Sequence, residues 1–391
     1  MFHVSKVGRE QALSSRRKEV ELYGSSLECR VGLTHKISKE FWMSQKTDLP
    51  QDLNNLRDLI GLVAEGNHLT ANQSEQVFDT FMNGTALPTQ MAAFLVALKV
   101  KGVIPAEIAG GVRALRKAMI PVVPKGEEVL IDTCGTGGGE ITTFNISTAA
   151  ALVACAGGAR IAKHGNRSFT SKSGSADVLE ALGVKIDLSP SKMSEVLEEV
   201  GIVFMFAPLL HPAMKYVGPV RKELGFSTVM NILGPLTNPA SVQRQLVGVS
   251  DRNLVVLIVE TLKELGHDRA MVVYGEPGVD ELSPLGSTLV AELSGGGIAE
   301  YVVSPKDFGM EICTPEELKG GEPKQNAEVV LRVLRNQEKG GARDAVVMNA
   351  GAALYVSGVT ESMEIGVRVA DRALENGRAL WILDRLRQAS E

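Results

Sequence analysis

Four stretches of the chain combine residue types that can do chemistry. Asp132-Thr133-Cys134-Gly135-Thr136-Gly137-Gly138-Gly139-Glu140 follows the β-rich run Val129–Ile131 and precedes a helix-like segment from Ser147 to Ala156. Glycines let a backbone turn tightly and aim successive N–H groups at an anion, and a helix N-terminus adds partial positive charge. A phosphate would fit there, and so would a merely flexible strand–helix turn. The spacing fails the dinucleotide fingerprint, because the sixth position counted from Gly135 as the first is Glu140, and it lacks the Gly-Lys-Ser/Thr of a Walker A loop. Asn145, Ser147 and Thr148 then supply side-chain donors at the helix start, where capping residues are expected anyway.

Lys163-His164-Gly165-Asn166-Arg167 ends a second β-rich run, Arg160–Ala162, and Ser168, Ser171, Ser173 and Ser175 follow it. Lys163 and Arg167 suit phosphate or pyrophosphate through charge-assisted hydrogen bonds. His211-Pro212-Ala213-Met214-Lys215 is followed by Arg221 ten residues after His211, nearly three helical turns on, so the two can line one side of a cleft; taken alone, Arg221 reads first as a solvated helix arginine. Asp280-Glu281, in a loop after the run ending at Tyr274, is either an ordinary acidic loop or a pair of oxygen ligands for Mg²⁺ shared with a phosphate.

These groups need a scaffold, and the 391 residues suffice for two or three domains at ~150 residues each. From Leu56 the apolar spacing is helical through four successive segments: Leu56, Leu59, Ile60, Val63; Val77, Phe78, Phe81, Met82; Met91, Phe94, Leu95, Leu98; and Ile108, Val112, Leu115, Met119. Thr70-x-x-Gln73 reads as a capping box, and Pro88 and Pro105 fall at first-turn positions. After Pro121 and Pro124 the rhythm becomes strand–helix alternation. Further strands are expected at Val203–Met205, Leu246–Val249 and Met271–Tyr274, and further helices at Ala176–Leu182 and Leu254–Leu265. Such alternation predicts a mainly parallel sheet with helices on both faces and a ligand at the carboxyl ends of its strands.

Net charge is −5, so no basic excess drives non-specific binding to nucleic acid or acidic lipid. Cys29, Cys134, Cys155 and Cys313 form no CxxC pair, which argues against structural zinc or a disulfide framework and for a reducing cytoplasm. The longest uncharged apolar run, Ala149 to Ala159, falls short of the ~20 residues that span a bilayer. Residues 1–50 mix basic and acidic side chains without an apolar core or a sustained period, and read as a weakly ordered extension rather than a secretory or transit signal. Helical patterning begins only near Leu53, which leaves Met43 as an alternative start.

Together, Gly135-Thr136-Gly137-Gly138, Asn145-Ile146-Ser147-Thr148, Lys163–Arg167, His211–Lys215, Val220-Arg221, Asn231–Pro239 and Asp280-Glu281 resemble the anthranilate phosphoribosyltransferase family over about residues 53–385. The resemblance implies an α/β fold: a small helical domain (51–124, completed by 208–230) plus a larger α/β domain (125–207 and 231–391) with a mainly parallel central sheet. It implies a cytoplasmic homodimer joined through the helical domain, with no nucleic-acid or membrane partner, and the transfer of a phosphoribosyl group from phosphoribosyl pyrophosphate to the amine of anthranilate in tryptophan biosynthesis. Carried over residue by residue, Gly135, Thr136, Gly137, Gly138, Glu140, Thr143, Asn145, Ser147, Thr148 and Lys163 would hold phosphoribosyl pyrophosphate. Gly135, His164, Asn166, His211 and Arg221 would face anthranilate, Arg221 pairing with its carboxylate, while Ser147, Asp280 and Glu281 would hold the Mg²⁺ cofactor. No residue stands out as a general base.

The chain departs from the family where the pattern usually continues with Asp and Gly: here the pair is Gly139-Glu140, and Glu140 is expected to take over toward the ribose hydroxyls or metal-bound water. Two rival functions share the architecture. A pyrimidine nucleoside phosphorylase would continue Lys-His with Ser rather than Gly165-Asn166-Arg167, and a non-catalytic nucleic-acid-binding homologue would need a basic groove.

Overall fold

The computed structural model describes residues 55–391 apart from 127, 140 and 169–171. The expectations for the extension and for Glu140 therefore lie outside the described residues.

The four opening periodic segments form α1 (Leu56–Ala64), α2 (Ala71–Met82), α3 (Pro88–Lys101) and α4 (Pro105–Ala118). Thr70 and Gln73 make the reciprocal capping box, and Pro88 and Pro105 sit in the first turns of their helices, where a missing N–H costs nothing. The stripes converge on Phe78, Phe81 and Phe94, which meet edge to face at 5.4 to 5.7 Å between ring centres. Glu107, fully buried, accepts from the N–H groups of Leu69 and Ile104 and from Lys101 Nζ at 2.9 Å, so its charge is met on every side.

The α/β part runs β1 (Leu130–Gly135), α5 (Ile146–Ala156), β2 (Arg160–Gly165), α6 (Ser175–Ala181), α7 (Pro190–Val200), β3 (Ile202–Phe206), α8 (Met214–Leu224), β4 (Arg244–Gly248), α9 (Leu254–Glu264), β5 (Arg269–Gly275), β6 (Thr288–Ser294) and β7 (Gly297–Val303). It closes with α10 (Pro323–Leu334), α11 (Gly341–Ser357), α12 (Met363–Glu375) and α13 (Arg378–Ser390); single-turn helices are named by residue. Among the described residues the strands form one sheet in the order β3-β2-β1-β4-β5-β6-β7. The first five are parallel and the β6–β7 hairpin is antiparallel. The architecture is thus the expected small helical bundle plus a larger α/β part with a mainly parallel sheet.

The sheet is covered on both faces, as a parallel sheet requires. Leu246, Met271 and Val273 face a core shared with α5, α7 and α11, while Val247, Val249, Ala270 and Val272 face a second core shared with α9 and the opening helices. Val217 and Val220 of α8 join that second core, packing α8 onto α2 and α3. α5 and α11 are buried almost all round, between the sheet and the outer helices. Small residues permit this: a β-carbon on Gly366 would lie 2.2 Å from the Gly351 carbonyl oxygen, so α11 and α12 cross in near-backbone contact.

Candidate active site

At the carboxyl ends of β1, β4 and β5 three glycines make a floor for the acidic segment. A β-carbon on Gly248 would lie 1.6 Å from the Asp280 carbonyl oxygen, one on Gly135 2.2 Å from Asp280 Oδ2, and one on Gly275 2.5 Å from the Glu281 carbonyl oxygen. Only glycine lets residues 280 and 281 settle onto the strand ends. The glycine-rich loop rises from the same place. Gly137 and Gly138 take left-handed conformations, with φ of 66° and 80°, and the Gly137 N–H donates to Asp280 Oδ2 at 2.8 Å while its carbonyl accepts from Ser250 Oγ at 2.8 Å.

The start of α5 faces the second acid: the Ser147 N–H donates to Glu281 Oε1 at 3.1 Å. Lys163 lies buried beneath, donating to the Thr133 carbonyl at 2.5 Å and to Ser147 Oγ at 3.4 Å. Burial, then the neighbouring Asp280 charge, pushes the Glu281 carboxyl up to about 8 against the pull of Lys163. Asp280 is likewise raised by burial, and Lys163 is lowered by it, with the Asp132 charge opposing. Two crowded, desolvated carboxylates above one ammonium are a site short of positive charge.

Asn145 holds the loop edge. Its Oδ1 accepts from Ser173 Oγ at 3.1 Å and from Asn326 Nδ2 at 2.9 Å, and its Nδ2 donates to the Ser173 carbonyl at 3.0 Å. Thr143 pairs with Lys319 in an isolated antiparallel bridge. Thr136 donates its N–H to the Gly248 carbonyl at 2.9 Å. Thr148 sits inside, with its hydroxyl buried and without a hydrogen-bond partner among the described residues.

At the neighbouring strand end, His164 and His211 bring their Nε2 atoms to 3.2 Å. Burial holds both imidazoles neutral, pushing His164 down to about 3 and His211 to about 4. Beneath His164, the fully buried Asp132 accepts from the His164 backbone N–H at 3.2 Å and from Asn238 Nδ2 at 2.8 Å, and Asn238 also donates to the Ala162 carbonyl. Asn166 turns its Oδ1 to the Arg167 N–H at 2.7 Å. Arg167 is paired with Asp177 at 2.8 Å and Glu180 at 2.5 Å in a partly exposed ion-pair cluster, partners it would have to exchange to reach a phosphate. Arg221, on α8, has no hydrogen-bonding or ion-pairing partner among the described residues, and burial alone lowers its guanidinium.

Ser250, Asn326 and Asn349 carried no expectation from sequence, and Asp132 and Asn238 lay inside quoted motifs without a role of their own. Asn349 shows in the sequence only as a polar side chain in apolar surroundings, Val346-Val347-Met348-Asn349-Ala350-Gly351.

Family models agree with this layout: the α/β domain of a glycosyl transferase family matches residues 127–380, and the helical bundle domain of the same family matches 57–119. Anthranilate phosphoribosyltransferase from Rubrobacter xylanophilus is 50% identical over 335 residues, 86% of this chain and 97% of that protein. The chain belongs to the anthranilate phosphoribosyltransferase family. The family member from Methanosarcina acetivorans is 46% identical across 85% of this chain and 89% of its own length. The crystal structure of the Thermus thermophilus family member superposes with a TM-score of 0.81 at 42% identity, covering 85% of this chain and 99% of that one. The family member from Saccharomyces cerevisiae, in complex with phosphoribosyl pyrophosphate and Mg, matches with a TM-score of 0.77 at 26% identity over 86% of this chain and 97% of that one.

Against the family pattern, Gly139 has a local reason to be glycine. A β-carbon there would lie 2.7 Å from the Gly278 carbonyl oxygen, so the turn after β5 occupies the space an Asp at 139 would need.

Proposed function

We propose that this chain transfers the phosphoribosyl group of phosphoribosyl pyrophosphate to the amine of anthranilate, giving N-(5-phosphoribosyl)anthranilate and pyrophosphate, a step of tryptophan biosynthesis. The observation that carries this reading is the pairing of anion-binding amides with carboxylates: the N–H groups of Gly137 and Ser147, at the glycine loop and a helix start, are each met by one acid of the Asp280–Glu281 pair. A pyrophosphate entering with a divalent cation would exchange these partners, amides to phosphate oxygens and carboxylates to the cation.

The residues present fit Mg²⁺. Two carboxylates and the Ser147 hydroxyl suit an ion that keeps several waters and shares phosphate oxygens, and no group of three or more His, Cys, Asp or Glu among the described residues forms a fuller cage. Bound there by Asp280, Glu281 and Ser147, Mg²⁺ would supply charge neutralisation for the leaving pyrophosphate. An arylamine is a weak nucleophile, so the sugar must gain oxocarbenium-like character as pyrophosphate departs. The protein's part is then positioning and electrostatics. Gly135, Thr136, Gly137, Gly138, Thr143, Asn145, Ser147, Thr148 and Lys163 hold the phosphoribosyl donor, and the sequence pattern adds Glu140 to this set. His164, His211 and Asn166 line the acceptor side as neutral donors and acceptors, and Arg221 supplies the guanidinium for the anthranilate carboxylate.

The helical domain of residues 51–124 and 208–230 serves as the homodimer face; exposed Leu87, Tyr216 and Phe226 on it support this. A cytoplasmic location goes with this reading, and no described helix is long and apolar enough to cross a membrane. Incubating the full chain with anthranilate, phosphoribosyl pyrophosphate and Mg²⁺ and identifying products by mass spectrometry tests the proposal. Phosphoribosyl anthranilate with one equivalent of pyrophosphate is expected, and pyrophosphate without the anthranilate adduct would refute it.

A further inference from the structure

The acidic pair is held from below by the glycines at positions 135, 248 and 275, but a floor fixes only one side of a segment. Behind it, one buried side chain holds the backbone of the residue that follows the acids. Asn349, 1% exposed in the middle of α11, accepts from the Leu282 backbone N–H with Oδ1 at 2.9 Å and donates Nδ2 to the Leu282 carbonyl at 2.9 Å. One carboxamide thus meets both backbone groups of the residue next to Glu281, as a neighbouring β-strand would. Nδ2 also donates to the Ala345 carbonyl at 2.9 Å within α11, which fixes the amide's orientation and places it on a rigid helix.

We propose that Asn349 is a positioning residue for the cation and pyrophosphate site: by clamping Leu282 it presses residues 280–281 onto the strand ends and sets where their carboxylates point. The inference rests on the reading of Asp280 and Glu281 as cation ligands. The geometry behind it is local. Asn349, Glu281, Ser147 and Thr133 line one small internal cavity, so the clamp lies directly behind the acids and the start of α5. Beyond its helix, both of the partners that Asn349 holds belong to this single residue, and the fully buried Leu282 side chain anchors the same point in the core. Loss of the carboxamide would leave two buried backbone groups unpaired, and the segment would relieve this by lifting toward solvent and moving the carboxylates with it.

The test uses Mn²⁺ as the spectroscopic probe, with inorganic pyrophosphate present, read by the electron paramagnetic resonance of free and bound ion. Asn349→Ala is expected to weaken Mn²⁺ binding tenfold or more and to raise the KM for phosphoribosyl pyrophosphate in step, with the KM for anthranilate within about twofold of the unmodified enzyme. Val346→Ala, which trims the same buried helix without touching the clamp, is expected to lower Tm and leave Mn²⁺ affinity unchanged. Equal Mn²⁺ affinity in Asn349→Ala and the unmodified enzyme would overturn the inference. Absence of Mn²⁺–pyrophosphate binding by the unmodified enzyme would instead overturn the reading of the acidic pair itself. Should Asn349→Ala not fold, amide exchange in the unmodified protein decides: a Leu282 amide as protected as those of β4 and β5 supports the clamp, and exchange at open-loop rates contradicts it.

Discussion

Arg221→Ala separates a binding guanidinium from a structural one. In the structure this side chain is half-buried and has no ion-pairing or hydrogen-bonding partner among the described residues, and burial is the sole cause of its lowered proton affinity. A charge kept in that state costs the free protein something and pairs with nothing until a ligand brings a carboxylate. One charge-assisted hydrogen bond contributes roughly 1.5–3 kcal/mol, so its removal should raise the KM for anthranilate by about ten- to 150-fold. The same substitution should leave Tm unchanged or slightly higher, because it removes a desolvated charge and breaks no bond. Arg221→Lys should recover less than half of the lost binding energy, since an ammonium cannot offer the two-pronged contact to a carboxylate. Steady-state kinetics with each substrate varied, together with differential scanning fluorimetry, measure all three effects. Equal losses for anthranilate and phosphoribosyl pyrophosphate, or a Tm drop of several degrees, would refute the assignment.

Three further outcomes follow from the geometry of the loop and the acids. Asp280→Asn and Glu281→Gln should each lower turnover strongly, and the unmodified enzyme should lose activity in excess EDTA; full activity there would rule out a cation role. The raised Glu281 carboxyl means that the folded state holds a proton which the unfolded chain has already released, so in EDTA Tm should fall as pH rises from 6.5 to 8.5, and Glu281→Gln should flatten that fall. The buried histidines are neutral in the folded state throughout this window, but in the unfolded chain they still titrate at about 6.5, so they add a small rise in Tm at its lower edge that the comparison with Glu281→Gln subtracts. Glu140→Ala should raise the KM for phosphoribosyl pyrophosphate about tenfold, the cost of one charged hydrogen bond. Adding Gly139→Asp to Glu140→Ala would restore an acid at the family's usual position, but its β-carbon would meet the Gly278 carbonyl oxygen at 2.7 Å, so the double variant should be no better than Glu140→Ala alone; partial recovery would show that the 275–279 turn yields.

The elements readable from sequence were those whose signal is local: an apolar stripe, a short β-rich run between turns, or a capped helix start. α1 and α2 carry clean apolar stripes because each turns one side to a common core, α3 and α4 set their large apolar residues at helical spacing among small ones, and the Thr70 capping box and the prolines at 88 and 105 mark the starts of α2 to α4. The five parallel strands showed as short β-rich runs. α11 lies between the sheet and α12, so it has no stripe to detect, and its row of Ala, Gly and Val reflects close crossing rather than amphipathicity. The β6–β7 hairpin extends the sheet where no helix intervenes, outside the strand–helix rhythm on which the parallel expectation rested.

The candidate site divides in the same way. Residues that a ligand would touch lie in compact local patterns, so the glycine loop, Lys163, His164 and the acidic pair were visible at once. Residues that aim them act across 67 positions for Asn349 on Leu282, 106 for Asn238 on Asp132, and 181 for Asn326 on Asn145. No local spacing encodes such contacts; they exist only after the chain has folded. Arg167 shows the converse, a basic residue inside a promising pattern whose charge is taken by Asp177 and Glu180 on the following helix.

The most direct measurement is the fluorescence of anthranilate in the presence of the full purified chain. The account predicts that fluorescence is lost at a rate proportional to enzyme when phosphoribosyl pyrophosphate and Mg²⁺ are both added, that it stays constant when either is omitted, and that Asp280→Asn nearly abolishes the loss. Unchanged fluorescence with both present, from protein shown to be folded, would contradict it.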